Sequence, residues 1–551
     1  MEHDGRYLKI FFLVLTLWAG LFVIVPTLDY EPILTQGDHG RDLYCFKKTF
    51  EGATPYRDYW WQYGPLMPYY YSVFFKIFGV SIQSVLIGRA VLVFLSGMGI
   101  YALTALWMTP AMAFITAFFF WVNRPDFFYT FNHIGGVPVI IFIVGCLCYY
   151  HVRGRKIYYY LGFLGVIVLS LIRLNLGIAG LTAFILCLGL RDYLNKDPLA
   201  KKNILAYAGG GFLTLVIIAG IYGVFVHGLS LSHLKQSLPY LSEYRYDNAA
   251  PSKALSALGR IVFVNFTATW PRRLLGGTLL AAMIRILVVF YQGKLSPQDK
   301  KNARFFLLSM AIFLILTAHE SFVSDSIYRL LWAFPAIVLL MFAVIEFGFR
   351  SLSRGIYAGV IVVLLLFVLR TAVTNDTIAR YYKQPMNLFE YGTTRVFIAN
   401  SQWGEHKGDP TADHAAAPEW INAVRGAADY LNNHLKEGEL FLALPYDALY
   451  YFLTGRDSPV YHLAFFAFIH ISPEEEKEMI RELERKEVNY ILLSNRAYSL
   501  EPHLGIIGRN YCPVLAQYIG EHFEVVATLG DWERPPEFTR HHGVKIWKRK
   551  L

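Results

Sequence analysis

Acidic and basic side chains gather in one polar stretch near the start of the chain. It contains the run Gln36-Gly37-Asp38-His39-Gly40-Arg41-Asp42. If a helix begins at Asp38, Asp42 lies one turn later on the same face. A carboxylate in that position, partly desolvated beside an apolar surface, could act as a general base toward a hydroxyl group. A second interpretation is that Asp38 only caps the helix and that Arg41 and Asp42 are solvated loop charges.

A second pair of charges, Arg57 and Asp58, follows within an aromatic run from Tyr56 to Tyr71. Together with His39 and Asp42, these charges are candidate contacts for a sugar or an acceptor. Tryptophan and tyrosine also form belts at every membrane interface, so the aromatic run by itself does not require a substrate.

The polar connection Asn123–His133 adds Asp126, Asn132 and His133 as further candidate sugar contacts, although a lone loop histidine is more often structural. The sequence shows no cluster of histidine, cysteine or carboxylate side chains at convincing metal-ligand spacing. We therefore predict a mechanism that uses neither a bound metal nor a cofactor.

The composition is that of a membrane protein. Of the 551 residues, 55% are hydrophobic and 17% charged, and the mean hydropathy is +0.37. The net charge of +10 does not indicate a nucleic-acid partner, because lysine and arginine fall mostly in short connections between apolar segments. Most of the chain is therefore expected to lie in lipid.

About eleven apolar segments predict transmembrane helices. They cover residues 8–26, 83–107, 110–122, 134–150, 157–172, 176–190, 204–226, 274–291, 305–318, 329–348 and 356–373. No small-residue cleavage site follows the first, which we expect to be retained. Basic residues concentrate in alternate connections, which predicts a cytoplasmic N-terminus and the long polar segments on the other side. Cys45 and Cys512 both fall on that outer side, so at most one disulfide is expected.

After residue 373 the pattern predicts a separate water-facing α/β domain, residues 374–551, behind a transmembrane catalytic part, residues 1–373. A polar stretch reaches Pro418. The predicted helices are Pro418–Lys436, Pro473–Lys486 and Asn510–Gly520, and the predicted strands are Glu439–Leu444, Val488–Ser494, Phe523–Leu529 and Val544–Lys548. No glycine-rich nucleotide-binding motif occurs in this part.

Several motifs point to a known superfamily. They are Gly37-Asp38-His39-Gly40, Gly52-x-x-Pro55-Tyr56-Arg57-Asp58, Gly64-Pro65-Leu66, Leu171–Gly177, Ser324–Arg329 and Leu444–Arg456. Together they resemble the GT-C glycosyltransferases, in the branch of polyprenyl-phosphate-sugar enzymes that includes protein O-mannosyltransferases and lipid A aminoarabinose transferases. Protein O-mannosyltransferases carry an acidic pair where Asp38 and His39 stand here, which disfavours that activity.

The resemblance implies an inverting glycosyltransferase that moves a sugar from a polyprenyl-phosphate donor to an acceptor hydroxyl on the extracytoplasmic side. The acceptor would be a glycan, a lipid or a protein, and the membrane a bacterial inner membrane with the C-terminal domain in the periplasm. A first-loop carboxylate is the catalytic base in such families, and Asp38 matches it.

The lipid phosphate gains negative charge as it leaves, and positively charged side chains at the outer membrane surface would stabilise it. The candidates are Arg173, Arg329, Arg272 and Arg273. Each of these arginines could instead have a structural role. Arg173 could extend its side chain to the membrane interface, and Arg272 and Arg273 could bind lipid head groups. Arg329 could form an ion pair with Asp325.

Two other functions compete with the transferase. A transporter or flippase for lipid-linked sugars would also need many helices and membrane-facing arginines, but transporters commonly show pseudo-repeats, and this chain shows none. A receptor or scaffold would use the outer domain to bind a partner. The glycosyltransferase-like loop around Asp38 disfavours that reading.

Overall fold

The computed structural model describes residues 2–28, 37–123, 131–196, 198–237, 270–291, 297–319, 332–374, 386–399, 419–498, 505–533 and 542–550. Helices dominate the described residues up to 374. The strands, apart from isolated bridges, all follow that position.

The helices up to residue 374 are α1 Glu2–Ile24, α2 Gly37–Phe50, α3 Leu66–Phe78, α4 Ile82–Thr104, α5 Pro110–Val122, α6 Phe131–Ile134, α7 Gly136–Arg153, α8 Lys156–Ile172, α9 Leu174–Asn195, α10 Ala200–Val226, α11 Leu231–Ser237, α12 Trp270–Tyr291, α13 Pro297–Thr317, α14 Phe334–Phe349 and α15 Arg354–Thr374. Every apolar segment of the sequence coincides with one of these helices. Among the described residues, six helices are long and apolar enough to cross a membrane, and four apolar helices are shorter. The number of spans stays a prediction.

A break between α8 and α9 shapes one end of the helix bundle. Arg173 is the one residue between these two helices, and its backbone is extended, with φ −155° and ψ 109°. The break leaves the Ile172 carbonyl oxygen to accept a hydrogen bond from the Gly64 amide, at 3.0 Å. A Cβ at Gly64 would lie 2.1 Å from the Leu171 oxygen, so only glycine allows this approach. The first outer loop is thereby fixed against the break.

The C-terminal part contains a four-stranded mixed sheet. Its strands are β3 Phe441–Leu444, β4 Tyr490–Ser494, β5 Phe523–Gly530 and β6 Gly543–Arg549, in the order β3-β4-β6-β5. β3 and β4 are parallel, whereas β6 is antiparallel to both of its neighbours. The helices are α16 Glu419–His434, α17 Leu449–Thr454, α18 Pro473–Arg485 and α19 Pro513–His522. The predicted helices and strands are thus confirmed to within a few residues, and Ser472 caps α18 in a capping box.

The short helix α17 and a β-hairpin of this region were not predicted. The hairpin of β1 Met386–Tyr391 and β2 Thr394–Ala399 lies where composition indicated only a polar stretch. Its turn lies against the start of α4, where the Thr393 hydroxyl donates a 2.6 Å hydrogen bond to the Val80 carbonyl. The division of the chain at residue 373 stays a prediction.

The first outer loop and the C-terminal sheet region pack directly on each other. The Trp60 amide donates to the Tyr461 carbonyl at 3.2 Å, and Lys48 pairs with Asp457 at 2.9 Å. A Cβ added to Gly40 would lie 2.6 Å from the Leu449 nitrogen, so α2 and α17 meet backbone to backbone. The loop that carries Asp38 is therefore covered by the C-terminal part.

The cysteines do not pair. All five, including Cys45 and Cys512, are buried and free. The single disulfide that the sequence permitted is not formed.

Candidate active site

The charged residues of the first outer loop lie on the predicted helix. α2 begins at Gly37, so Asp38 lies in its first turn, where the helix dipole favours a negative charge. The Asp38 side chain is 50% exposed, whereas those of Arg41 and Asp42 are 0% and 1% exposed. The interpretation of Arg41 and Asp42 as solvated loop charges is therefore wrong. Asp38 alone of the three reaches solvent.

Arg41 is the centre of this group. Its Nη1 lies 3.1 Å from Asp38 Oδ1, and its Nη2 lies 2.8 Å from Asp42 Oδ1. Four aromatic rings surround the guanidinium, with centroids 5.1–5.9 Å from its carbon: Trp60, Trp61, Tyr63 and Tyr446. Such an enclosure stabilises a cation that burial would otherwise disfavour. Trp60 and Trp61 are buried, so this part of the aromatic run is not a lipid-facing belt.

The Asp38 carboxylate is ionised, and one of its two oxygens is available to accept a proton. Desolvation would raise its pKa, but the Arg41 charge and a hydrogen bond from Tyr446 outweigh it and hold the pKa below its ordinary value. Both partners contact Oδ1, because the Tyr446 hydroxyl donates to the same atom that Arg41 pairs with. Within the described residues, Oδ2 receives no hydrogen bond. An exposed, ionised carboxylate oxygen of this kind can accept a proton from a hydroxyl.

Asp42 differs from Asp38 because it is buried. Its Oδ2 accepts a hydrogen bond from Asn132 Nδ2 at 2.8 Å. Burial raises its pKa to about 7, although Arg41 works in the opposite direction. Asp42 therefore supports Arg41 from inside the protein, and its contact with an acceptor or a sugar stays a prediction.

A second cationic group lies next to the first. Arg173 Nη1 is 3.3 Å from His133 Nδ1, and its guanidinium carbon lies 5.4 Å from the Tyr63 ring centroid and 5.8 Å from that of Trp332. Tyr63 also contacts Arg41, so the two arginines are neighbours across one ring. The structure thus brings the predicted residues Asp38, Arg173 and His133 into one site.

The other candidate residues lie elsewhere. Arg57 and Asp58 pair with each other at 3.0 Å and with Thr54, and both are substantially exposed. His39 is buried, with its ring edge-on to Phe131 at 4.9 Å. Substrate contacts by these three residues stay predictions.

The side chains of four candidate residues lie outside the described part of the structure. Asp126 and Arg329 lie outside the described residues. Arg272 and Arg273 belong to α12, but their side chains also lie outside the description.

An apolar cavity of about 870 Å³ opens beside the site. It lies between α3, α4, α7 and α8, and almost all of its lining is apolar. Along α7 the lining extends from Gly135 to Tyr149, a distance of about 20 Å at the helical rise. At the outer end it reaches Ile172, the residue before Arg173. The cavity thus runs along the helices to the residue that precedes Arg173.

Sequence reasoning missed two members of the site. Tyr446 and Tyr63 are neutral, and each contacts a charged residue named above. Tyr446 does lie in the motif Leu444–Arg456, directly after a predicted strand, where polar residues often reach a site. Tyr63 carried no comparable signal. Asn132, predicted as a sugar contact, donates to Asp42, and its contact with a sugar stays a prediction.

Comparison with known proteins finds a solved structure with a similar fold. The crystal structure of ArnT from Cupriavidus metallidurans bound to undecaprenyl phosphate matches with a TM-score of 0.54 at 11% sequence identity, over 98% of this chain and 97% of that one. The apo state of the same protein gives a TM-score of 0.42 at 12% identity, over 97% of each chain. No protein-family model and no curated protein sequence matches the chain. The likeness to the bound structure shows that the two chains share a fold, an apolar helical part followed by a C-terminal domain with a small sheet.

Proposed function

We propose that this protein is an integral-membrane inverting glycosyltransferase. It takes a sugar from a polyprenyl-phosphate donor and transfers it to an acceptor hydroxyl on the extracytoplasmic side of the membrane. The observation that carries the proposal is that Arg41, the ion-pair partner of Asp38, and Arg173 both contact the Tyr63 ring, because the reaction needs a base and a phosphate-binding cation close together.

In the proposed reaction, Asp38 acts on the acceptor and Arg173 acts on the donor phosphate. The acceptor oxygen attacks the anomeric carbon while its proton passes to Asp38 Oδ2. The bond between the anomeric carbon and the phosphate oxygen breaks, and its electron pair leaves with the polyprenyl phosphate. Attack opposite to the leaving group inverts the anomeric centre. The products are the glycoside and a phosphate monoester with one more negative charge than the donor phosphodiester.

Arg173 faces the charge that develops on the leaving group. Its guanidinium projects at a helix break, lies between two aromatic rings and touches His133. Charge-assisted hydrogen bonds to phosphate are stronger in such a water-poor position than in bulk solvent. Its contact with His133 keeps the guanidinium oriented, so Arg173 is the residue we assign to the donor phosphate.

The apolar cavity supports a lipid donor. A polyprenyl chain needs a long apolar surface, and this cavity extends for about 20 Å along α7 and reaches Ile172, the residue before Arg173. A donor with its chain in this channel would place its phosphate at the guanidinium. The ArnT structure with a similar fold was solved with undecaprenyl phosphate bound, which is consistent with such a donor.

A transfer assay with the purified protein tests the proposal. Detergent-solubilised protein is incubated with radiolabelled polyprenyl-phosphate sugars and a membrane extract that supplies acceptors. We expect label to leave the donor and to appear in an acceptor fraction, with release of polyprenyl phosphate in equal amount. If no donor in the panel loses its sugar while the reconstituted protein moves lipid-linked sugar across vesicles, the flippase reading replaces the transferase.

A further inference from the structure

A buried carboxyl group lies beside the tyrosine that contacts Asp38. Asp447 follows Tyr446 in the chain and is only 5% exposed. Its Oδ2 accepts a 2.6 Å hydrogen bond from the hydroxyl of Ser494, which is fully buried. Burying a carboxylate is costly unless charges and hydrogen bonds offset the lost solvation. The proposed transfer steps do not use Asp447, so its burial calls for a separate explanation.

The four-stranded sheet brings these residues together. β3 and β4 are parallel, and Leu444 pairs with Leu493. The carboxyl ends of the two strands therefore lie side by side, and the residues that follow them meet at one edge of the sheet. Tyr446 and Asp447 follow β3, whereas Ser494 ends β4. The hydrogen bond between Asp447 and Ser494 thus ties the segment that carries Tyr446 to the sheet.

A buried arginine supplies the opposite charge. Arg496 lies two residues after β4 and is 5% exposed. Burial raises the pKa of Asp447, and the positive charge of Arg496 works against that rise. The same charge favours the ionised form of Asp38. Asp447 and Asp38 therefore share one cation where the C-terminal part meets α2.

Tyr446 is held on both sides of its ring. The ring packs edge-on against Phe466 at 4.6 Å, and the Phe465 amide donates a 2.9 Å hydrogen bond to the Pro445 carbonyl. On the side of α2, the Tyr446 hydroxyl donates to Asp38. A hydrogen bond weakens steeply when its angle or length departs from the optimum. The contact with Asp38 therefore depends on how firmly the tyrosine segment is held.

We propose that Asp447 is a positioning residue of the transfer reaction, which keeps the Tyr446 hydroxyl on Asp38 through its hydrogen bond with Ser494. This inference rests on the proposed function, in which Asp38 is the base. Asp447 acts through Tyr446 and not on a reacting atom. Without this anchor the tyrosine hydroxyl moves away from Oδ1, and the Asp38 carboxylate loses a partner that stabilises its negative charge.

Carbodiimide labelling tests the proposal without the transfer reaction. A water-soluble carbodiimide reacts with protonated carboxyl groups, so peptide mass spectrometry of the full-length protein across a pH series gives the midpoint for protonation of Asp38. The titratable and charged groups that act on Asp38 are Arg41, Tyr446, His39 and Arg496. We expect Asp447→Ala and Ser494→Ala to move the midpoint to higher pH, because a displaced Tyr446 no longer favours the carboxylate. Loss of the Asp447 charge alone would move it to lower pH, so the direction separates the two effects.

A double-mutant cycle shows whether the effect passes through Tyr446. We expect Asp447→Ala to lower kcat/KM about 10-fold, and Asp447→Asn to lower it less, because asparagine still accepts from Ser494. In the Tyr446→Phe background, Asp447→Ala should change kcat/KM by less than about twofold. Glu478→Gln is the control, because Glu478 is a 59% exposed carboxylate on α18 of the same part.

Two results would overturn the proposal. One is a labelling midpoint that stays unchanged or moves to lower pH in folded Asp447→Ala and Ser494→Ala. The other is a loss for Asp447→Ala that is as large in the Tyr446→Phe background as in wild type. If Asp447→Ala does not fold, Asp447→Asn and Ser494→Ala carry both measurements. A wild type that transfers no sugar would refute the transferase, whereas the labelling midpoints would still decide the role of Asp447.

Discussion

The Tyr446 hydroxyl donates a hydrogen bond to the Asp38 carboxylate and accepts one from Arg41, although Tyr446 and Asp38 are 408 residues apart in the chain. The C-terminal part thus supplies a direct partner of the proposed base. A Cβ at Gly37 would overlap the Tyr446 ring at 2.0 Å, which shows how closely the two segments fit.

Replacing Tyr446 by phenylalanine tests this contact. The hydrogen bond favours the ionised form of Asp38, so its loss should raise the pKa of that carboxyl and move the acidic limb of the pH–rate profile to higher pH. Loss of a hydrogen bond to a charged group is worth about 1.5–3 kcal/mol, which predicts a decrease of about 10- to 100-fold in kcat/KM. Tyr450→Phe is the control, because Tyr450 lies on the same segment and contacts His542 instead. An unshifted profile in Tyr446→Phe would show that the contact does not act on the base.

Arg173→Ala should weaken the donor phosphate contact. We expect KM for the donor to rise by about 10- to 100-fold, with partial recovery in Arg173→Lys, since lysine keeps the charge but loses the planar fork. Steady-state kinetics with varied donor concentration measures this effect. The control is Arg153→Ala, since Arg153 is exposed at the end of α7. Equal KM values in wild type and Arg173→Ala would remove Arg173 from donor binding.

Gly145→Leu should narrow the apolar cavity. Gly145 lines the cavity, and a Cβ there would meet nothing within 4 Å, so the helix tolerates the change. Forcing extra side-chain volume into a closely packed apolar space costs about 1–3 kcal/mol. Transfer from a long-chain donor should therefore fall roughly five- to hundredfold, whereas transfer from a donor with two isoprene units should stay unchanged. Gly189→Leu is the control, since that glycine is equally uncrowded and does not line the cavity. Equal losses with both donors would contradict the assignment of the cavity to the lipid chain.

Asp42 should make the folded protein less stable as pH rises. Its pKa in the fold, about 7, lies above the ordinary value, so the folded state holds this proton more tightly than the unfolded chain does. That contribution is fully present below about pH 4 and is lost as pH rises through about 7. Asparagine resembles the protonated form, so the thermal midpoint of Asp42→Asn should decrease less between about pH 5 and pH 7 than that of the wild type. Asp58→Asn serves as the comparison, because Arg57 holds the pKa of Asp58 low. Parallel curves for Asp42→Asn and wild type would contradict this assignment.

The helices were predictable because a bilayer core demands long apolar segments, and each such segment folds as expected. The Asp38 helix was also predictable, since its polar spacing matched one helical turn. Burial of Arg41 was not, because it depends on Trp60, Trp61 and Tyr446, which enclose the guanidinium only after the chain has folded.

The site residues that the sequence did not predict were missed for the same reason. A tyrosine such as Tyr446 has no charge pattern to mark it, and its contact with Asp38 joins two distant segments. Local spacing reports local structure, and these contacts are not local.

Asp38→Asn is the most direct test of the central claim. The variant keeps the shape and the Arg41 contact but removes the proton acceptor. Glu51→Gln, just after α2 and paired with Lys47 and Lys48, is its matched control. With donor and acceptor at saturation, we predict that kcat of folded Asp38→Asn falls by roughly 10²- to 10⁴-fold, the usual contribution of a general base, while donor binding and the Glu51→Gln rate remain near wild type. A kcat for Asp38→Asn within a few-fold of wild type would contradict the account.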